Sequence, residues 1–398
     1  MIEQLFKKHI KILLNLKTSF RSNLHNHINW DERLTGIKGA RGVGKTTLML
    51  QHIKELYGTD RSCLYVNLDD IAHPFETLVE LAEAFEKTGG KHLFIDEIHK
   101  YPNWLQELKN IYDGFSDLKV VFTGSSILDI LKGKADLSRR AVVYHMQGLS
   151  FREFLQNETE INLESYTLTQ IIANHEKYAS KIIEKVKPFK YFDNYLRYGY
   201  YPYYLESVDN YSLKLSNTIN LMIETDMPLL LNIDIQYINK LKRFLNLLSS
   251  NIPFKPNISN LAASIGMSWQ SVINYLNYLN EAEIIKILYH EGKNLKSLTK
   301  PEMIYLHHPN QFYVFTDEIY NKGNIRESFF VNQLSYQHKV ETARYGDFVV
   351  NGKYYFEIGG KSKSYHQIAN IADSYIVADN IEFGFGNKIP LWLMGFLY

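Results

Sequence analysis

Residues 39–46 read Gly39-Ala-Arg-Gly-Val-Gly44-Lys45-Thr46, which gathers three glycines, an ammonium and a hydroxyl into one short stretch. Phosphates are bound best where several backbone N–H groups converge without Cβ atoms in the way, which glycine permits. A helix starting at Lys45 adds the positive end of its dipole. The spacing is G-x-x-x-x-G-K-[ST], that of a phosphate loop. The expected contacts of ATP are therefore Gly39, Ala40, Arg41, Gly42, Val43, Gly44, Lys45, Thr46 and Thr47. Lys45 would reach the β- and γ-phosphates, and the Thr46 hydroxyl would ligate Mg²⁺. A chance match is the alternative. Against it stands the setting, an apolar run at 33–38 before the loop and an amphipathic stretch at 46–56 after it, which is the strand–loop–helix order the motif requires.

A second group follows in His92-Leu-Phe-Ile-Asp96-Glu97, an apolar run ending in two carboxylates. In open α/β sheets ligands bind at the carboxyl ends of the strands. Asp96 would hold Mg²⁺ there through a water, and Glu97 would orient and deprotonate the attacking water. A strand-terminal acidic pair that merely caps the next turn is the plainer reading. The run Lys119-Val-Val-Phe-Thr123-Gly-Ser-Ser126 ends in hydroxyls, of which Thr123 and Ser125 are placed to sense the γ-phosphate or the water, although such residues are also ordinary turn chemistry. Of the paired arginines Arg139 and Arg140, Arg140 is the candidate for a charge-stabilising finger reaching a neighbouring site; simple solvation is the alternative. His99 reads as a surface helix residue and Cys63 as a buried, inert thiol.

These groups need a scaffold. Apolar runs at 33–38, 63–67, 92–96, 119–123 and 141–145 alternate with helical patterns at 45–56 and 74–87. Such alternation argues for a parallel sheet covered on both faces. Residues 1–30 read as an N-terminal helix, 31–150 as the phosphate-loop core and 151–230 as a helical lid with helices at 151–156, 168–185 and 213–225. Residues 231–310 form a compact unit: a helix capped by Ser259, a turn at 266–268, a second helix at 269–279 and strands at 284–288 and 303–306, the pattern of a winged helix. Residues 311–398 return to mixed α/β character, with a helix at 326–337 and strands at 348–350, 354–358 and 391–394.

Composition agrees with a multidomain globular protein. At 398 residues, 45% hydrophobic and 22% charged, the chain is long enough for several cores. A net charge of +1 gives no global reason to bind nucleic acid. One cysteine excludes a disulfide framework. The first residues lack the apolar core of a signal peptide, and no apolar run reaches membrane-spanning length, so the expected compartment is the cytoplasm, with no membrane partner.

The chain resembles bacterial and archaeal AAA-type ATPases that carry a winged helix and a PD-(D/E)xK nuclease-like C-terminal domain. The residues that carry the likeness are Gly36-Ile-Lys-Gly-Ala-Arg-Gly-Val-Gly-Lys-Thr-Thr47, Ile95-Asp-Glu-Ile-His-Lys-Tyr-Pro-Asn-Trp104, Thr123-Gly-Ser-Ser126, Leu149-Ser-Phe-Arg-Glu-Phe154 and Tyr198-Gly-Tyr-Tyr-Pro202. Where the family has a glycine before the finger arginine, this chain has Arg139.

The resemblance implies a metal site in the last domain, from Glu327 on a helix and from Asp347 and Glu357 on adjacent strands. The lysine expected two residues after Glu357 is absent: Gly359 stands there, and Lys361 is the next lysine, on the same strand face. Gly359 and Gly360 could equally bulge and carry Lys361 away. The winged-helix segment has Gln270, Ser271, Asn274 and Asn277 on its second helix and no Lys or Arg there; Lys286, Lys293, Lys296 and Lys300 lie on or near the wing. DNA affinity depends on neutralising phosphates, so the segment is poorly equipped as a DNA reader and packing or docking of a partner is the favoured role; a DNA or protein partner for the winged helix and the last domain is the expectation. The readings are an ATP-driven switch or remodeller, an ATP-regulated DNA nuclease, and an ATP-binding module without turnover; a homo-oligomer is compatible with each.

Overall fold

The five apolar runs of the first 150 residues become strands β1 (Leu34–Gly39), β2 (Cys63–Asn67), β3 (His92–Asp96), β4 (Lys119–Ser125) and β5 (Val142–His145). The computed structural model describes residues 1–16, 22–70, 74–126, 137, 139–228, 238–249, 253–292, 301–315 and 321–398. They divide into two compact units, Met1–Gly148 and Leu149–Tyr398.

In the first unit the strands pair in the order β2-β3-β4-β1-β5, all parallel. Parallel pairing puts every carboxyl end on one edge, so Gly39, Asn67, Asp96 and Ser125 share a rim. The inner strands are buried almost along their whole length, as a sheet covered on both faces requires. Helix α1 (Ile2–Asn15) lies against edge strand β2 and buries Leu5, Phe6 and Leu13. Helix α2 (Lys45–Leu56) follows β1, and α3 (Leu78–Glu86) packs on α4 (Trp104–Gly114). The helix expected over 74–87 begins only at Leu78, where Thr77 accepts the Glu80 N–H as its cap.

The second unit opens with the helix Phe151–Thr159, whose capping box joins Ser150 and Glu153. Helices Leu168–Lys185, Pro188–Tyr198 and Tyr211–Leu221 follow, the last passing into a π-turn at Met222–Asp226. The Gly-Tyr-Tyr-Pro stretch is tied down by buried Asn310. Its side-chain oxygen accepts from Tyr200 N at 2.9 Å and from the Tyr211 hydroxyl, and its amide donates to Tyr195 O and Leu196 O at 2.9 and 2.8 Å. All four polar positions of a buried amide are thus used. Helices Ile258–Ile265 and Trp269–Glu281 precede an antiparallel hairpin, β6 (Ile285–Leu288) with β7 (Met303–Leu306). The cap of the first helix is Asn257, accepting from Asn260 N, and not Ser259, because the helix starts two residues earlier than its polar pattern suggests.

Helix Lys322–Ser335 then leads into a mixed sheet ordered β12-β11-β10-β9-β8. Its members are β8 (Val340–Thr342), β9 (Phe348–Val350), β10 (Tyr354–Gly359), β11 (Ser374–Ala378) and β12 (Lys388–Pro390). The strand expected at 391–394 is instead a buried 3₁₀ helix, Leu391–Phe396. A short run apolar on every side carries no period, so burial alone does not separate the two conformations. Gly395 permits the tight packing: a Cβ there would lie 2.4 Å from Phe151 Cβ.

Candidate functional site

The loop after β1 takes its shape from its glycines. Gly42 and Gly44 adopt φ of 87° and 103°, a region in which side chains are strained, and Gly44 is the N-cap of α2. Gly39 has a different reason. A Cβ there would sit 2.2 Å from the Met146 carbonyl oxygen, so only glycine lets β1 pass that close. Lys45 is buried, and its Nζ donates to Gly39 O and Ala40 O, both at 2.9 Å. The ammonium is held inside the loop by two neutral acceptors that phosphate oxygens can replace. Arg41 and Gly42 are half-buried, Ala40 and Val43 are buried, and Thr47 is exposed on the first turn of α2.

The acidic pair meets this loop. Asp96 is buried, and its Oδ2 accepts from Thr46 Oγ1 at 2.8 Å and from the Tyr65 hydroxyl at 2.8 Å, while Oδ1 accepts from Thr123 Oγ1. Burial, with the charge of Glu97 second, pushes the Asp96 carboxyl above the usual carboxylate range; the three hydroxyls oppose it. A buried carboxylate with only hydroxyl donors, next to a threonine oxygen, is a hard-oxygen set that suits Mg²⁺.

Glu97 turns sharply out of the strand, at φ 54° and ψ 45°, and its N–H donates to Thr123 Oγ1 at 3.0 Å. Thr123, expected to face the nucleotide, is therefore committed to the acidic pair: one hydroxyl donates to Asp96 and accepts from Glu97. Ser125 closes β4 opposite Gly39. His99, expected on the surface, is 5% exposed with Nδ1 3.3 Å from Glu97 Oε2. The 3₁₀ turn Ile98–Lys100 folds it back under the pair, which helical periodicity alone does not reveal.

Arg140 stands elsewhere. Its guanidinium grips Asp113 with both ends, Nε to Oδ1 at 2.9 Å and a terminal nitrogen to Oδ2 at 3.0 Å. It precedes β5, which enters the sheet beside Thr35, so it lies at the amino-terminal edge. The six residues of β1 separate it from the loop by roughly 20 Å. It does not reach the nucleotide loop of its own copy.

In the second unit Glu327, Asp347 and Glu357 are near enough to influence one another electrostatically. Among the described residues, however, no three His, Cys, Asp or Glu side chains are grouped to hold a metal ion. Each carboxylate has a partner of its own. Glu327 accepts from the Tyr305 hydroxyl at 3.0 Å, and Asp347 accepts from Ile358 N at 2.7 Å. Glu357 is ion-paired to Lys363. The lysine near Glu357 is therefore Lys363 and not Lys361. A turn closed by Lys363 N on Gly360 O at 3.0 Å reverses the chain, and a Cβ on Gly359 would lie 2.7 Å from that of Lys363. Lys388 secures the turn by donating to Lys361 O and Lys363 O. Burial, then the neighbouring Asp347, lifts the Glu327 carboxyl to about 7.

Of the lysines expected near the β6–β7 hairpin, only Lys286 is among the described residues. Burial pulls the Lys286 ammonium below the lysine range despite Glu283 and Glu281 nearby, and Lys293, Lys296 and Lys300 lie outside the described residues. Trp269 and Gln270 at the start of the second helix are exposed. No helix among the described residues is long and apolar enough to cross a membrane.

Residues 31–155 match the family model of an AAA domain, and residues 189–307 match a domain of unknown function. An uncharacterized protein of Methanocaldococcus jannaschii is 28% identical over 292 residues, 69% of this chain and 61% of that protein. The chain thus spans about three fifths of the length of that relative. Among solved structures, a Walker-type ATPase of Pyrococcus abyssi aligns with 76% of this chain and 99% of its own, at 13% identity and a TM-score of 0.42. AMPPCP-bound DnaA from Aquifex aeolicus aligns with 75% of this chain and 91% of its own, at 14% identity and a TM-score of 0.25. The loop and the acidic pair both lie within residues 31–155, the segment that matches the AAA-domain model.

Proposed function

We propose that the chain binds ATP with Mg²⁺ on the loop at 39–46 and hydrolyses it. The observation that supports this most directly is the contact of Thr46 Oγ1 with Asp96 Oδ2, 2.8 Å, beside an ammonium lodged among loop carbonyls. Thr46 and Asp96 would hold Mg²⁺, which neutralises phosphate charge when bound. Lys45 exchanges its carbonyl partners for phosphate oxygens. Glu97 acts as the base: its carboxylate takes a proton from water as the water oxygen bonds to the γ-phosphorus. The bond from that phosphorus to the bridging oxygen breaks, and ADP and phosphate leave. Because Arg140 sits at the far edge of its own sheet, an arginine completing this site comes from another copy, a reading that calls for a homo-oligomer.

ATP turnover in this reading acts as a switch that gates the modules of residues 149–398, which take up a DNA or protein partner. Cleavage of nucleic acid by the second unit is the weaker reading, since Lys363 already neutralises Glu357. The test is phosphate release at saturating ATP and Mg²⁺. Glu97→Gln is expected to lower turnover about 10²–10⁴-fold while nucleotide affinity is kept. Undiminished turnover would refute the base; a wild-type protein that binds ATP without releasing phosphate would leave only a binding module.

A further inference from the structure

Asp96 has one partner that the phosphate-loop motif does not call for. Tyr65 lies on β2, in register with Phe94 of β3, while Asn67 pairs with Asp96. Side chains two residues apart on a strand share a face, and the strand advances about 6.6 Å over that interval. A phenol leaning along the strand therefore spans the step from Tyr65 to Asp96, and its hydroxyl lies 2.8 Å from Oδ2. Tyr65 is 4% exposed, so water does not compete for that bond.

The other end of Tyr65 is also held. β2 is the edge strand of the sheet, and an edge strand leaves alternate backbone N–H groups without a strand partner. The Tyr65 N–H donates to His9 Nδ1 of α1 at 2.9 Å. His9 is buried, and burial holds its imidazole below the usual histidine range, which favours the neutral, accepting form. Helix α1 thus fixes the backbone of the residue whose hydroxyl fixes Asp96.

We propose that Tyr65 is a positioning residue for the divalent-cation site: its hydroxyl sets the Asp96 carboxylate so that Oδ2 stays turned toward Thr46. This rests on the nucleotide-site reading given above. Thr123 secures the opposite oxygen, and Thr46 must share its own oxygen with the cation. Among the described residues, Tyr65 is then the one donor to Oδ2 that takes no part in binding the cation or the nucleotide. Removing an outer partner of a metal-binding carboxylate typically costs 10–100-fold in metal affinity. A residue that acts only through Asp96 should leave Mg²⁺-free nucleotide binding unaffected.

The experiment titrates Mg²⁺ into full-length protein holding a fluorescent ATP analogue, in wild type, Tyr65→Phe and Val66→Ala. Phenylalanine keeps the ring and removes only the hydroxyl. Val66, buried on the same strand, tests whether loosening β2 alone has the same effect. Tyr65→Phe is expected to raise the half-saturating Mg²⁺ concentration about tenfold, with affinity in EDTA unchanged and Val66→Ala at the wild-type value. Equal half-saturation in wild type and Tyr65→Phe overturns the assignment, as does an equal rise in Val66→Ala. A wild type whose nucleotide affinity ignores Mg²⁺ overturns the nucleotide-site reading itself, and Tyr65 with it.

Discussion

Two groups of acidic residues among the described residues, one at the end of β3 and one between a helix and β9–β10, are satisfied in opposite ways. At β3, the Asp96 carboxylate accepts from three hydroxyls, those of Thr46, Tyr65 and Thr123, and the nearby ammonium of Lys45 donates to carbonyl oxygens. At β10, Glu357 is paired with Lys363, Asp347 takes a backbone N–H, and Glu327 is pushed by burial to about 7. Hydroxyl donors stabilise a carboxylate without cancelling its charge, so the first group keeps a charge to offer a metal ion. A lysine cancels that charge, and the second group is closer to a neutralised packing arrangement. Clustered carboxylates therefore do not imply similar chemistry.

The contrast can be broken from either side. The largest effect is expected from Lys45→Ala, which removes the only ammonium lodged in the loop among the described residues. ATP affinity should fall roughly 100-fold, the value of a charge-assisted hydrogen bond or two. Isothermal titration would check this, and an unchanged affinity would remove the first group's claim to a phosphate.

Next comes Lys363→Ala, which leaves Glu357 buried without its cation. The cost should be about 1–3 kcal/mol, the penalty of a buried polar group left unmatched. That corresponds to a fall of about 2–12 °C in the melting of the second unit. A variant that instead gains Mn²⁺-dependent stability would show that only the lysine keeps the second group from acting like the first.

The effect sharpest in form is expected from Glu327→Gln. A carboxyl raised from 4.5 to about 7 holds its proton more tightly in the folded state. The unfolded chain therefore releases that proton first, and stability drains away as pH rises from about 4.5 to about 7. Glutamine stays neutral and can still accept from Tyr305. The melting temperature of the variant should match wild type near pH 4.5 and exceed it by a growing margin up to about pH 8. A constant difference across that range would remove burial as the cause.

Legibility followed the length scale of the interaction. The loop at 39–46 and its helix could be read because loop, lysine, threonine and helix start are contiguous, and the glycine conformations are local demands. The strand ending in Asp96 and Glu97 could be read because five apolar and acidic residues in a row suffice. Thr123 was visible as a hydroxyl at a strand end, but its commitment to Asp96 and Glu97 depends on the register of β3 against β4. His99 was misjudged because a 3₁₀ turn, and not a helix, follows the pair. Strand alternation carried through the two glycines reaches only Lys361, whereas the chain turns there and brings Lys363 to Glu357. The strand expected at 391–394 failed for want of any period to read.

What the order of residues determined by itself is the glycine-rich loop and the helix that follows it, since backbone conformations that favour glycine and a helix starting on Lys45 are properties of consecutive residues. What the tertiary structure alone decided is which partner each carboxylate has: Tyr65 on Asp96, His99 beside Glu97, Lys363 on Glu357, and Arg140 at the far edge from the loop. Those pairings depend on strand register, turn geometry and exclusion of water. Such terms exist only once distant segments are packed together.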